Sequence, residues 1–180
     1  MLDRYNKNGG AMDLDQYSHE ELSAVVGPKS ETYLEAWAPI LSGKKSTNRF
    51  HFAGFFVAPY WMAYRKMKNV AAAWFVVVCI SVVMEYLVFI RILGRSEAPA
   101  LAGSLFGLIL AIVCGYWGNT WYLSHVKEVV DSVRTQGLTG EAYFEELAKR
   151  GGTNPSYVFM VLGVFIGFFI LGFLVGKIQS

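Results

Sequence analysis

Three long apolar stretches dominate the chain after residue 69. They run from Val70 to Ile90, from Pro99 to Tyr122 and from Tyr157 to Val175, and each is close to the roughly twenty residues with which a helix crosses a bilayer. In the first stretch, every Val, Leu, Ile or Phe favours insertion by about 0.3 to 0.6 kcal/mol. Together they outweigh the roughly 3 kcal/mol cost of the one charged residue there, Glu85. The sequence therefore predicts an all-α integral membrane protein with three transmembrane helices.

The composition agrees with a membrane bundle. Hydrophobic residues make up 54% of the chain and charged residues 17%, a balance that favours several spans over one aqueous core. The formal net charge of +2 gives no indication of nucleic acid binding, so we expect no nucleic acid partner. Cys79 and Cys114 each lie in an apolar run and are expected to act as small hydrophobic residues. The three histidines lack the spacing of zinc ligands, so no metal or other cofactor is predicted.

An aromatic segment, Phe50 to Tyr64, precedes the first stretch. It carries no formal charge, but as a helix it would extend only about 22 Å, against a hydrocarbon core of about 30 Å. Aromatic side chains with polar tips suit the boundary between acyl chains and headgroups. We therefore predict an interfacial or re-entrant segment, followed by a basic cluster that contacts anionic headgroups. The candidate lipid-contacting residues are Trp61, Tyr64, Arg65, Lys66 and Lys68.

The polar parts of the chain predict short amphipathic helices on the cytosolic side. Residues 1–16 lack periodicity and are expected to be disordered. Ser18 and Glu21 have the spacing of a capping box, which predicts a helix over 19–26. Ser30 begins a second helix with a single apolar face.

A third amphipathic helix is predicted for GEAYFEELAKR, in the loop between the last two spans. We thus divide the chain into a cytosolic tail with helices (1–48), an interfacial segment (49–68) and a three-span membrane region (69–180) whose cytosolic helical loop covers about 123–155. Thirteen of the sixteen Lys and Arg residues then fall on the side of the N-terminus. Because positive charge favours the cytoplasmic side, we predict a cytoplasmic N-terminus and a periplasmic C-terminus.

Glu85 is the acidic residue inside a predicted span, and ionisable groups in such places are functional candidates. Trp74 and Ser81 share its helical face, so the three can line a polar pathway. Alternatively, Glu85 lies within about 8 Å of the outer end of its helix, where it can contact water or pair with Arg91 or Arg95.

A second polar set follows the middle span. Asn119, Tyr122 and His125 are spaced three residues apart, which places them on one side of a helix. They can anchor the helix to the aromatic segment or hold a lipid headgroup.

Small residues recur at intervals of four in the second and third apolar stretches, which favours close helix contact in lipid, within one chain or in a homo-oligomer. They are Gly103, Gly107, Ala111 and Gly115, then Gly163 with Gly167 and Gly172 with Gly176.

Several motifs resemble a family of small bacterial inner-membrane proteins that is classified as a domain of unknown function. The matching stretches are VVGPKSETYLEAW from Val25, FHFAGFFVAPYWMAYRKM from Phe50, GNTWYLSHVKEVVDSVRTQG from Gly118 and EELAKRGGTNPS from Glu145. One departure is at position 51, where the family's usual asparagine is His51. The resemblance implies a multi-pass bacterial inner-membrane protein and implies no activity.

No catalytic arrangement of Ser, His, Cys or paired carboxylates can be proposed, so we expect a protein that is not an enzyme. The leading hypothesis is a membrane-surface scaffold or accessory protein that binds anionic lipids or a membrane or cytosolic protein partner. The alternative is a small transport or channel component that uses polar groups in the spans.

Overall fold

The computed structural model describes residues 16–41, 49–96 and 99–179, with only the backbone for residue 100 and residues 171–179. Every regular element in these ranges is helical, as predicted. The elements are α1 His19–Val26, α2 Ser30–Leu41, α3 Phe52–Tyr64, α4 Lys68–Glu85, a π-helical segment Tyr86–Ile92, α5 Ala100–Arg134, α6 Gly140–Arg150 and α7 Pro155–Gln179. The predicted disordered tail lies, apart from Gln16, outside the described residues.

The helices group into two compact units. The short-helix unit consists of α1, α2, the part of α5 from Asn119 onward, and α6. The long-helix unit consists of α3, α4, the π-helical segment, α5 up to Gly118, and α7. Each unit has its own buried residues, described separately below.

The short-helix unit is built on one apolar face of each helix. α1 starts with the predicted capping box, because the Glu21 amide donates to Ser18 Oγ at 3.1 Å and the Ser18 amide donates to the Glu21 carboxylate at 2.8 Å. Trp37 on α2 is completely buried. The α5 side chains that are buried in this unit lie on one face, with the period of an amphipathic helix. They are Asn119, Tyr122, Leu123, Val126, Val130 and Val133.

Helices α1 and α6 approach each other closely where α6 ends. The Gly151 amide closes α6 on the Leu147 carbonyl, and the Gly152 amide donates to the Val25 carbonyl at 2.6 Å. A Cβ atom on Gly151 would collide with the backbone of Val25. Glycine is therefore required here by the contact between the two helices.

The long-helix unit packs α3 against α4 and α7. The ring of Phe165 on α7 lies 5.7 Å from the rings of both Tyr60 and Phe75, measured between centroids. At the start of α7, the Asn154 amide donates to the Tyr64 carbonyl at 2.8 Å. These contacts join the last helix of the chain to the aromatic segment.

Three helical stretches are long and apolar enough to cross a membrane, namely Lys68–Ile92, Leu101–Arg134 and Gly140–Ile170. The third includes α6 and the break that follows it, so its apolar part is α7. Of the 18 most apolar consecutive residues in each stretch, 0%, 17% and 6% are buried inside the structure. Wide apolar surfaces are therefore exposed. The three predicted stretches are thus confirmed as long apolar helices.

The aromatic segment forms α3, a kinked helix of 13 residues. The kink lies at Val57, whose φ of −137° and ψ of 37° are not helical. Pro59 follows two residues later and has no amide to donate into the preceding turn, which explains a kink at this place. At 1.5 Å per residue, α3 extends about 20 Å.

Candidate functional site

A tight turn between α3 and α4 positions the basic cluster. The Met67 amide donates to the Met62 carbonyl at 2.9 Å and the Lys66 amide to the Ala63 carbonyl at 3.0 Å, the bonding pattern of a Schellman motif. Lys66 takes the left-handed position, with a φ of 59°, which costs a residue other than glycine about 1 kcal/mol or more. The turn ends α3 and starts α4 at Lys68.

The predicted lipid-contacting residues do not all face outward. Trp61 and Arg65 are 6% and 4% exposed, so both lie inside the protein. Tyr64 is exposed, Lys66 is half-buried and Lys68 is exposed. The cations that this turn presents to the surroundings are therefore Lys66 and Lys68.

Lys68 also lines an apolar groove between the end of α3 and the starts of α4 and α7. The groove has a volume of about 500 Å³, and its apolar wall consists of Ala63, Ala71, Ala72, Phe75, Met160, Val161 and Val164. The Lys68 ammonium lies 5.2 Å from the centroid of the Tyr157 ring, in the range of a cation–π contact. Met67, at the N-cap of α4, makes no side-chain capping bond. An anion beside Lys68 would thus also meet the positive end of the α4 dipole.

A second cavity, of about 410 Å³, lies between α3, α4 and α5. Trp74, Ser81 and Glu85, which the sequence places on one helical face, all line it. Ser81 Oγ donates to the Val78 carbonyl at 2.8 Å, so its oxygen remains available as an acceptor. The rest of the wall is apolar or aromatic and includes Phe55, Phe56, Pro59, Phe106, Gly103 and Gly107.

The Glu85 carboxylate faces α5 across this cavity. A Cβ atom on Gly103 would lie 3.5 Å from Glu85 Oε2, so the carboxylate lies next to the α5 backbone at this glycine. Within the described residues, no ion pair joins Glu85 to Arg91 or Arg95. The π-helical segment begins at the next residue, Tyr86. Such segments are rare in proteins, and many of those that occur are at functional sites.

The second predicted polar set is engaged inside the short-helix unit. Asn119 is 3% exposed. Its side-chain Nδ2 donates to the Arg49 backbone carbonyl at 2.6 Å, and the backbone carbonyl of Asn119 accepts from Trp37 Nε1 at 3.0 Å. Tyr122 is buried, with its ring 5.4 Å from that of Trp37 and 6.5 Å from that of His125. These contacts attach α2 to α5.

A polar cluster centred on Glu21 was not predicted from the sequence. Arg134 donates to both Glu21 carboxylate oxygens, at 3.0 and 2.8 Å, and Tyr143 Oη donates to Oε1 at 2.6 Å. Burial raises the pKa of Glu21, but the bonds from Arg134, Tyr143 and Ser18 outweigh it and lower the pKa to about 2. The cluster ties α1, α5 and α6 together.

The comparisons with known proteins agree with the resemblance noted in the motifs. A family model described as a protein of unknown function, DUF2628, matches residues 20–127. The chain belongs to this family. No curated protein and no solved structure matches the chain. The description of DUF2628 assigns no activity. The matched region contains α1 to α4 and most of α5, with both the groove residue Lys68 and the cavity residue Glu85.

Within this DUF2628 region, His51 has a clear local role. It is the N-cap of α3, where its Nδ1 accepts from the Gly54 amide at 2.7 Å. The asparagine expected here would offer a side-chain oxygen for the same bond. The His51 ring also lies 4.1 Å from that of Trp61, between centroids. Histidine can therefore replace asparagine without loss of the cap.

Proposed function

We propose that this DUF2628 protein is a non-enzymatic, multi-pass protein of the bacterial inner membrane that binds anionic lipid in the Lys68 groove. Its short-helix unit would act at the cytoplasmic surface as a scaffold for a protein partner. The observation that carries the proposal is the groove itself, which combines an apolar wall with one exposed cation.

Membrane insertion is supported by the exposed apolar surface of the long helices. Phe169 is 79% exposed, Ile92 74% and Leu101 68%. Soluble proteins rarely expose contiguous apolar surface on this scale. Acyl chains surrounding α4, α5 and α7 would remove that surface from water. A helix pairs its interior backbone groups within itself, as the bilayer requires.

An anionic lipid fits the groove better than a neutral one. Its acyl chain would contact the apolar wall, including Phe75 and Val161, while its phosphate would approach the Lys68 ammonium. A lysine near a charged membrane surface contributes roughly 1 kcal/mol of attraction. The proposed orientation, with a cytoplasmic N-terminus, places Lys68 at the inner leaflet, where anionic lipids attract basic residues.

The test is lipid selection by the full-length protein in nanodiscs. We expect native mass spectrometry to show preferential retention of phosphatidylglycerol over phosphatidylcholine by the wild type. Lys68→Ala should reduce that preference roughly fivefold, the effect of about 1 kcal/mol. Lys29→Ala removes the same charge from an exposed position outside the groove and should leave the preference unchanged. Equal retention of both lipids by the wild type would refute the proposal.

A transport or channel component is the second candidate function, favoured by the position of Ser81 and Glu85 on one cavity. Asn119, a further polar residue of the second predicted span, bonds within the short-helix unit to Arg49 and Trp37. Liposome flux of small cations that depends on Glu85 would support this function, and flux unchanged by Glu85→Gln would contradict it.

A further inference from the structure

The cavity between α3, α4 and α5 extends along α4 from the aromatic residue Trp74 to the acidic residue Glu85. Trp74 lies six residues after Lys68, about 9 Å along the helix, and Glu85 lies about 26 Å along it. If Lys68 is at one headgroup level, Glu85 is near the far boundary of a hydrocarbon core of about 30 Å. The cavity therefore has its carboxylate near the far surface and Trp74 deeper in the membrane.

The chemistry of the wall is equally specific. Four aromatic side chains line the cavity, from α3, α4 and α5: Phe55, Phe56, Trp74 and Phe106. Aromatic faces attract organic cations, and a carboxylate in a region of low dielectric attracts them more strongly than it would in water. No cation of the protein pairs with Glu85 among the described residues.

We propose that this cavity binds a lipophilic organic ammonium ion, with the charged nitrogen at Glu85 and the apolar body among the aromatic side chains. The volume of about 410 Å³ is within the 300–1,000 Å³ range of sites for small molecules. Gly103 on α5 lines the cavity opposite the Glu85 carboxylate, so a ligand at Glu85 would lie against the α5 backbone. The site is separate from the Lys68 groove and does not require that the protein transports its ligand.

Two other occupants fit the cavity less well. A lipid acyl chain would contact the apolar wall but offers neither a charge nor a hydrogen-bond donor to the Glu85 carboxylate that lines the cavity. A helix from a second copy of the chain could fill the space beside Gly103 and Gly107, but it would need a cation at the depth of Glu85. The cations on α4 and its π-helical extension lie at the ends of that stretch, at Lys68 and Arg91.

The experiment uses full-length protein in phosphatidylcholine nanodiscs and two probes of the same shape. Benzyltrimethylammonium carries the charge, and neopentylbenzene is its neutral isostere. Saturation-transfer NMR, corrected with empty nanodiscs, measures binding of each probe. We expect the wild type to bind the ammonium about tenfold more tightly than the isostere.

Variants then assign the preference to Glu85. Glu85→Gln should bring the affinity of the ammonium down to that of the isostere, whereas Glu85→Asp should retain part of the preference. Glu141→Gln, which removes an exposed carboxylate of the short-helix unit, should have no effect. Because the comparison of the two probes uses the wild type alone, it remains decisive if a variant fails to fold. Equal binding of both probes, or no saturable binding of the ammonium, would overturn the proposal.

Discussion

The bonds of Glu21 allow a quantitative prediction of how much this carboxylate stabilises the short-helix unit. We expect Glu21→Gln to destabilise the contact of α1 with α5 and α6, because it removes the anion that Arg134 and Tyr143 bind. The pKa of Glu21 is about 2, against an ordinary value of 4.5, a difference equivalent to roughly 3 kcal/mol. The Arg134 side chain is 36% exposed, and screening by solvent reduces this to about 1 to 2 kcal/mol.

The pH dependence has a defined sign. Because the pKa of Glu21 is lower in the folded protein, its stabilisation is complete well above pH 4.5 and is lost as the pH falls from about 4.5 toward 2. Amide hydrogen exchange measured by mass spectrometry can follow α1 in nanodiscs. Protection factors for α1 should be about 5- to 30-fold lower in Glu21→Gln than in the wild type at pH 7.

The matched control is Glu20→Gln, because Glu20 lies in the same first turn of α1 but is exposed. Both carboxylates interact similarly with the helix dipole, so a general charge effect would appear in both variants. Equal loss of protection in Glu20→Gln and Glu21→Gln would refute the reasoning. So would wild-type protection factors that do not change between pH 5 and pH 3.

Three further substitutions test individual contacts. Gly151→Ala should destabilise the short-helix unit by about 1 to 3 kcal/mol through collision with Val25, measured by thermal unfolding, whereas Gly163→Ala, in open space, should not. His51→Ala should lower α3 protection in hydrogen exchange by about 1 kcal/mol through loss of the N-cap, and His51→Asn should preserve it. Lys66→Gly should raise the unfolding temperature by relieving a left-handed φ of 59°, with a gain of about 1 kcal/mol; an unchanged temperature would contradict that strain.

Local signals in the sequence predicted the elements well. The capping box of Ser18 and Glu21 fixed the start of α1, because both partners are three residues apart and need no distant contact. The three apolar helices follow from long apolar runs, which have few alternatives to a helix in a membrane. Trp74, Ser81 and Glu85 were predicted to share a face, and they do line one cavity.

Contacts between distant residues could not be predicted in the same way. Arg134 is 113 residues from Glu21, and nothing in either local sequence selects the other. The burial of Arg65 was equally hidden, since a basic residue beside two lysines indicates an exposed cluster. His51 departs from the family motif, and the sequence did not predict that its Nδ1 would cap α3. For Glu21 and Arg65 the packing of separate helices decided the role, whereas the cap made by His51 is a local contact with Gly54.

The most direct test of the membrane arrangement is the location of the two chain ends. Reporter domains fused to the N-terminus and to the C-terminus, active only in the cytoplasm or only in the periplasm, report the side of each end. We predict a cytoplasmic N-terminus and a periplasmic C-terminus, because in the proposed arrangement α4, α5 and α7 cross the bilayer and α3 does not. Both ends on the same side would contradict this account, since α3 would then have to cross as a fourth span.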